Sequence, residues 1–168
     1  MMISKKLNTA ICEQVGHEFE ASLQYVGIAT WFDVGNLPRL AAHYYKQAEE
    51  EREHAMKLVK YVVDTGGKVM LPALKAPKTT FKNAGEAVGM ALEWEKTVTA
   101  QINSLMDIAV KEGDYLAQHF LSWFVEEQLE EVTSAERMVS LVQRAGDHGL
   151  LLVEHLISTG AAAGPGGD

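Results

Sequence analysis

Apolar residues recur along this chain in steps of three and four, the spacing that places side chains on one face of an α-helix. Four such series can be followed, and each predicts an amphipathic helix with one buried face. They extend over Leu7–Phe32, Leu37–Tyr61, Ala84–Ala109 and Ala117–Val142. No run alternates with a period of two between hairpin turns, so the pattern predicts an all-α fold.

Each apolar series is interrupted near its middle by polar groups that metals accept as ligands. The interrupting residues are Glu18 in the first series, Glu51 and His54 in the second, Glu95 in the third, and Gln128 and Glu131 in the fourth. An isolated buried carboxylate is costly and normally takes up a proton. Four carboxylates and a neutral imidazole would balance two divalent cations, so the pattern predicts a dinuclear metal site.

Helix boundaries follow from capping and breaking residues. Ser4 and Gly35 bound the first predicted helix, Pro38 starts the second, and Asn83 and Asp114 are the predicted N-caps of the third and fourth. The predicted helices are therefore residues 4–33, 38–65, 84–111 and 115–145, followed by a short fifth helix at 150–157.

The connections set the topology. Short links make the first and second helices antiparallel, and likewise the third and fourth. The link between the second and third helices, residues 66–82, reaches about 55 Å when extended, whereas a helix of this size is about 42 Å long. It can therefore cross the whole bundle and leave the second and third helices parallel, which predicts an up-down-down-up bundle. Packing the helices in register then brings the interrupting residues to one level.

We expect one domain, residues 1–160, with a flexible Gly-rich tail at 161–168. The fifth helix could dock on its own bundle, although its apolar character favours an interface between subunits. The net charge of −8 argues against nucleic acid or an anionic membrane as partner. One cysteine excludes an intrachain disulfide, and no signal or membrane-spanning segment is recognisable, so we expect a cytoplasmic protein.

Glu51 and His54 form a Glu-x-x-His pair, which lies on one helix face. Oxygen ligands with one imidazole suit iron or manganese, and zinc less distinctively. The pair is weak evidence alone, but ligands at one depth on four helices are much stronger evidence.

Several segments together resemble the ferritins, and most of all the non-haem bacterial ferritins, some of which are called bacterioferritins. They are Glu18 with Tyr25, Glu50–His54, Trp94-Glu95 and Trp123–Glu131. The resemblance extends from about Lys5 to Ser158. It implies a ferritin-like four-helix bundle with a long crossover and a short fifth helix. It also implies assembly into a homo-oligomeric cage of 24 subunits.

The resemblance further implies a ferroxidase that oxidises Fe²⁺ with dioxygen or peroxide and stores ferric oxyhydroxide in the cage. Glu18, Glu51 and His54 would hold the first iron, and Glu51 would bridge to a second iron bound by Glu95, with Gln128 and Glu131 close by. A third-iron site is implied for Glu50, Glu127, Glu130 and Glu131. Tyr25 matches a tyrosine beside the centre that is an electron donor during oxygen reduction. The alternative is a core tyrosine bonded to one of these carboxylates, and the two roles are compatible.

Two departures qualify these expectations. Bundles with a symmetric di-iron site carry Glu-x-x-His on two helices, whereas the fourth helix here has Gln128-x-x-Glu131. That weaker set suits a site that passes iron on. Haem-binding bacterioferritins have Met directly after the glutamate of the second helix; this chain has Arg52, so no haem is expected.

Three other functions are compatible with a helical bundle. A di-iron or di-manganese oxidase or peroxidase without mineral storage is the nearest alternative. The DNA-protecting ferritin relatives place their ligands across a dimer interface and often have basic tails, whereas these ligands complete a site within one chain. A purely structural bundle does not explain the carboxylates.

Overall fold

The computed structural model describes residues 2–160, and the predicted tail at 161–168 lies outside this range. Its helices are α1 (Lys5–Val34), α2 (Pro38–Asp64), α3 (Ala84–Glu112), α4 (Tyr115–Ala145) and α5 (Leu150–Ser158), and a 3₁₀ turn at Asp147–Gly149 precedes α5. No strand occurs between residues 2 and 160. The all-α prediction is confirmed, and each predicted helix end lies within about two residues of the observed one.

Most helix ends are formed by the predicted residues. The side chains of Ser4, Asn83 and Asp114 each accept a hydrogen bond from the backbone N–H three residues later. Gly113 ends α3 in the left-handed conformation, φ 63°. At the end of α1 the left-handed residue is Asn36, φ 57°, rather than Gly35.

The hydrophobic core consists of two clusters, one at each end of the bundle. One cluster joins the N-terminal halves of α1 and α4 to the C-terminal halves of α2 and α3. The other joins the opposite halves of the same helices, together with Val153 of α5. This pairing of halves is the predicted up-down-down-up arrangement, in which the polar residues of all four helices fall between two apolar clusters.

The crossover between α2 and α3 follows α1 and is bound by its side chains. Lys68 N donates to Asn8 Oδ1 (3.0 Å), Met70 N to Cys12 Sγ (3.3 Å), Lys75 N to Glu20 Oε1 (3.0 Å) and Lys78 N to Gln24 Oε1 (2.9 Å). Because these four α1 residues are spaced by one or two helical turns, one helix face carries the crossover along the bundle. That path allows the parallel direction of α2 and α3.

Helix α5 docks on its own bundle. Val153 is buried in the second cluster, and Glu154 accepts hydrogen bonds from backbone N–H groups at the start of α2. Leu151 and Leu152 remain exposed. Docking on its own bundle, one of the two expectations for the fifth helix, therefore applies to one face of α5. None of the helices between residues 2 and 160 is long and apolar enough to cross a membrane.

Candidate metal centre

The six residues that interrupt the apolar series are buried at one level of the bundle. Glu18, Glu51, His54, Glu95, Gln128 and Glu131 are each at most 6% exposed. The helices bring them together because each lies near the middle of its own helix, between the two apolar clusters.

Two groups of ligand atoms meet at His54. In the first, Glu18, Glu51 and His54 offer atoms within 4.8 Å of one another, and His54 Nδ1 lies 3.3 Å from Glu51 Oε2. In the second, His54 is grouped with Glu127 and Glu131, and His54 Nε2 lies 3.8 Å from Glu127 Oε1. The two imidazole nitrogens therefore face different sets of carboxylates.

Glu95 lies beside these groups and is held by hydrogen bonds. Its Oε1 accepts from the Tyr25 hydroxyl, and its Oε2 accepts from Gln128 Nε2 at 3.2 Å. The same amide nitrogen lies 3.2 Å from Thr99 Oγ1. Gln128 thus contacts the centre through Glu95. The interpretation of Tyr25 as a tyrosine bonded to a carboxylate agrees with its position.

The carboxylates of Glu18 and Glu51 have oxygens that no protein group satisfies. Glu18 Oε2 and both oxygens of Glu51 have no hydrogen-bond partner among residues 2–160. A buried polar atom normally has a partner, and leaving it without one is costly. Three such oxygens beside a buried imidazole fit cations as the missing partners.

The electrostatics agree with this interpretation. Burial raises the pKa of Glu18 well above its usual range, and the charge of Glu51 raises it further. Burial and the charge of Glu95 do the same to the pKa of Glu51. Burial, with the charges of Glu95 and Glu50, raises the pKa of Glu131 to about 8. Divalent cations would stabilise the ionised form of each group.

The residues expected at a third site are only partly brought together. Glu127 and Glu131 share a group with His54, whereas Glu50 and Glu130 belong to neither group within the described part of the chain. Glu50 instead accepts a hydrogen bond from Gln47 and lies 3.1 Å from Lys46. Glu130 is exposed.

Sequence reasoning did not identify Gln14, Gln101 or Thr99, whose side chains contact the ligands or their partners. Gln14 could have been found, because it lies one helical turn before Glu18 on the same face. Thr99 could have been found in the same way, because it lies one helical turn after Glu95 and donates to its backbone carbonyl oxygen. Gln101 gave no signal in the sequence, since its partner Gln14 lies on another helix.

The fold and the buried carboxylate–histidine site define a ferritin-type helical bundle. The family model described as ferritin-like domain matches residues 8–145. The chain therefore belongs to the ferritin family.

Its relatives include bacterial ferritins. Over 162 residues the chain is 40% identical to "Ferritin BfrB" of Mycolicibacterium smegmatis, covering 96% of this chain and 90% of the relative. It is 37% identical over 146 residues to the "Bacterial non-heme ferritin" of Staphylococcus saprophyticus, covering 87% of each. The open pore ferritin of the archaeon Archaeoglobus fulgidus superposes with a TM-score of 0.90 at 31% identity, covering 94% of this chain and 97% of that one.

Proposed function

We propose that this protein is an iron-storage ferritin with ferroxidase activity. The observation that carries the proposal is the set of unpartnered oxygens of Glu18 and Glu51 beside His54, buried in the middle of a ferritin bundle. Fe²⁺ accepts carboxylate oxygen and imidazole nitrogen together. In this proposal iron is the substrate of the site and the cargo of the assembled protein.

Glu18, Glu51 and His54 hold one Fe²⁺, and Glu51 bridges to a second Fe²⁺ bound by Glu95 and Glu131. The absence of hydrogen bonds to Glu51 among the described residues suits this role, because both of its oxygens are available to the two ions. The ionised carboxylates of Glu18, Glu51, Glu95 and Glu131 neutralise two divalent cations. Binding therefore releases protons from those that are protonated in the metal-free protein.

Each of the two Fe²⁺ gives one electron to dioxygen, which takes up two protons and leaves as hydrogen peroxide. The peroxide can in turn take two electrons from two further Fe²⁺ and two protons from solvent to yield two water molecules. The resulting Fe³⁺ ions carry two more positive charges than the carboxylates neutralise. Gln128 adds no charge and, on the described geometry, donates to Glu95. This excess positive charge favours hydrolysis and transfer of iron out of the site.

The oxidised iron is stored as ferric oxyhydroxide inside a cage of 24 copies of the chain, in the cytoplasm. Glu127 with Glu131 provides a place for a further ion next to His54, with Glu50 and Glu130 nearby in sequence. Tyr25, bonded to Glu95, is placed to donate an electron during oxygen reduction. Absence of haem stays a prediction from Arg52.

Aerobic Fe²⁺ oxidation, followed by the absorbance of the ferric product, tests the site. Loss of a residue that supports a metal ligand costs about 10–100-fold, so loss of a ligand itself, in Glu51→Ala or His54→Ala, is expected to slow the initial rate at least as much. Glu49→Ala removes an exposed carboxylate from the same helix and serves as the control. Wild-type rates in both ligand variants would refute the assignment.

Electron microscopy of the iron-loaded protein tests storage separately. A hollow shell containing an electron-dense core is expected. A protein that oxidises Fe²⁺ but forms no dense core would be the non-storing oxidase instead.

A further inference from the structure

Gln14 joins Glu18 of α1 to Gln101 of α3. Its side chain is 2% exposed. Its Nε2 donates to Glu18 Oε1 at 2.9 Å and to Gln101 Oε1 at 3.3 Å. When Glu18 is ionised, as it is when it holds a cation, it accepts hydrogen bonds and cannot donate them, so the amide of Gln14 then presents its NH₂ end to Glu18. Both amide hydrogens are then used.

These contacts divide the Glu18 carboxylate into two unlike oxygens. Oε1 is engaged by Gln14, whereas Oε2 has no partner among residues 2–160 and belongs to the group formed with Glu51 and His54. A hydrogen bond to one oxygen restricts rotation of the carboxylate and directs the other oxygen. Such bonds to ligand side chains orient them and affect metal affinity.

A similar contact exists on the other side of the centre. Gln128 Nε2 donates to Glu95 Oε2 at 3.2 Å. Glu51, by contrast, receives no hydrogen bond from the described residues. The two outer carboxylates thus each accept a hydrogen bond from one amide, whereas Glu51 accepts none and has His54 Nδ1 3.3 Å from its Oε2. This distribution is the one expected where Glu51 must contact two ions and Glu18 only one.

We infer that Gln14 is a positioning residue for the Glu18 ligand and that Gln101 orients Gln14. The inference rests on the proposed function, because it assigns the free oxygen of Glu18 to a metal ion. Gln101 acts only through Gln14. A residue of α3 thereby controls the direction of a ligand on α1.

The test uses anaerobic titration of the assembled protein with Co²⁺, whose visible absorption reports its coordination and which undergoes no oxidation under these conditions. The variants are Gln14→Met and Gln101→Met, which keep a long unbranched side chain but remove the amide. Gln24→Met is the matched control: Gln24 is also a buried α1 glutamine, but it bonds to Lys78 of the crossover. Glu18→Gln identifies the absorption that belongs to the Glu18 ion.

Gln14→Met is expected to weaken Co²⁺ binding at this site by about 10–100-fold, as for other partners of metal ligands. Gln101→Met should weaken it less, because the amide of Gln14 remains. Combined with Gln14→Met it should add nothing, since its effect passes through Gln14. Gln24→Met should bind Co²⁺ like the wild type even if its melting temperature falls.

The possible outcomes distinguish an error in the proposed metal site from an error in the positioning role of Gln14. If Glu18→Gln leaves the Co²⁺ spectrum and affinity of the wild type unchanged, the metal site itself, and with it the proposed function, is wrong. If that variant loses the signal but Gln14→Met keeps wild-type affinity, only the positioning role is wrong. Additive effects of the two Met variants would refute the inference that Gln101 acts on Glu18 only through Gln14. Should Gln14→Met not fold, Gln101→Met must weaken Co²⁺ binding with unchanged circular dichroism, or the inference fails.

Discussion

Glu154 of α5 accepts a hydrogen bond from the backbone N–H of Leu40 in α2, with 2.7 Å between Oε1 and the nitrogen. The neighbouring N–H of Arg39 donates to the same carboxylate. Leu37, at the N-cap position of α2, provides no side-chain cap. A residue 114 positions away therefore accepts hydrogen bonds from the free backbone N–H groups at the start of this helix. Its negative charge lies at the positive end of the helix dipole.

Replacing Glu154 by Ala should destabilise the bundle. Loss of a helix cap costs about 0.5–2 kcal/mol, and for a chain of this length 1 kcal/mol corresponds to about 2–4 °C in melting temperature. Thermal unfolding followed by circular dichroism measures the effect. Glu154→Gln keeps an acceptor oxygen and should lose less. An Ala variant as stable as the wild type would show that the cap contributes nothing.

The same contact predicts how truncation before α5 affects the stability of the bundle. Val153 and Glu154 connect α5 to α2 and the second core cluster, so removing residues from His148 onward should destabilise the bundle itself. Denaturant unfolding of the truncated chain measures this. An unchanged unfolding midpoint would mean that α5 contributes only between subunits.

Gly27 lies where the backbone of the crossover comes close to α1. A Cβ at this position would lie 2.7 Å from the backbone oxygen of Lys78. Gly27→Ala should therefore push the crossover away, at a cost of about 1–3 kcal/mol. Gly89→Ala is the matched control, because no atom lies within 4 Å of its added Cβ. It should stabilise α3 by about 0.5–1 kcal/mol. Equal melting temperatures of the two variants would contradict this difference.

The metal-free protein should become less stable as pH rises from about 5 to 8. The pKa of Glu131 is raised to about 8 in the fold, so the folded state binds its proton more tightly than the unfolded chain does. That stabilisation is complete below the unfolded pKa and is lost as pH passes through the folded pKa. The raised pKa values of Glu18 and Glu51 act in the same direction.

Melting temperatures in a chelating buffer across this pH range test the prediction. Glu131→Gln, which resembles the protonated acid, should flatten the slope. Zinc, a redox-inert divalent ion, should raise the melting temperature most at pH 8, where the carboxylates give up protons most readily. A metal-free protein whose stability increases with pH over this range would show that these carboxylates do not govern it.

The Gln128-x-x-Glu131 sequence of α4 offers a test of iron release. Gln128→Glu combined with Glu131→His creates a second Glu-x-x-His. The double variant should retain ferric iron after one turnover, because its second ion gains a carboxylate and an imidazole. Each 1.4 kcal/mol of added ferric affinity corresponds to about a tenfold change in the binding constant. Without metal, the new carboxylate would face Glu95 and destabilise the fold.

Oxidation of a first iron addition, followed after an interval by a second, measures regeneration of the site. The two single variants are the controls, since neither completes the new pair. A double variant that regenerates as fast as the wild type would show that the asymmetry of α4 does not limit iron transfer.

The local sequence was sufficient to predict the four long helices and the position of the site along the bundle axis. Apolar residues that recur in steps of three and four are buried, among them Leu7, Leu40, Ile102 and Leu121. Periodicity of 3.6 residues fixes which face a helix buries whatever it packs against. Capping residues act within one turn, so Ser4 and Asn83 could be recognised directly.

The same reasoning could not give the contacts that organise the site. Gln14 meets Gln101, Gln128 meets Glu95, and Glu154 meets the start of α2 only because the helices pack in one particular rotation and register.

The sequence by itself determined the helices, their buried faces and the carboxylates and imidazole placed at mid-bundle, because these depend on spacing along one chain segment. The tertiary structure decided which oxygens are engaged and which remain for a cation, that His54 faces two groups, and that α5 caps α2. Those features depend on distances between residues far apart in sequence. Hydrogen-bond geometry is sensitive to a few tenths of an ångström, and only the packed bundle sets distances that closely.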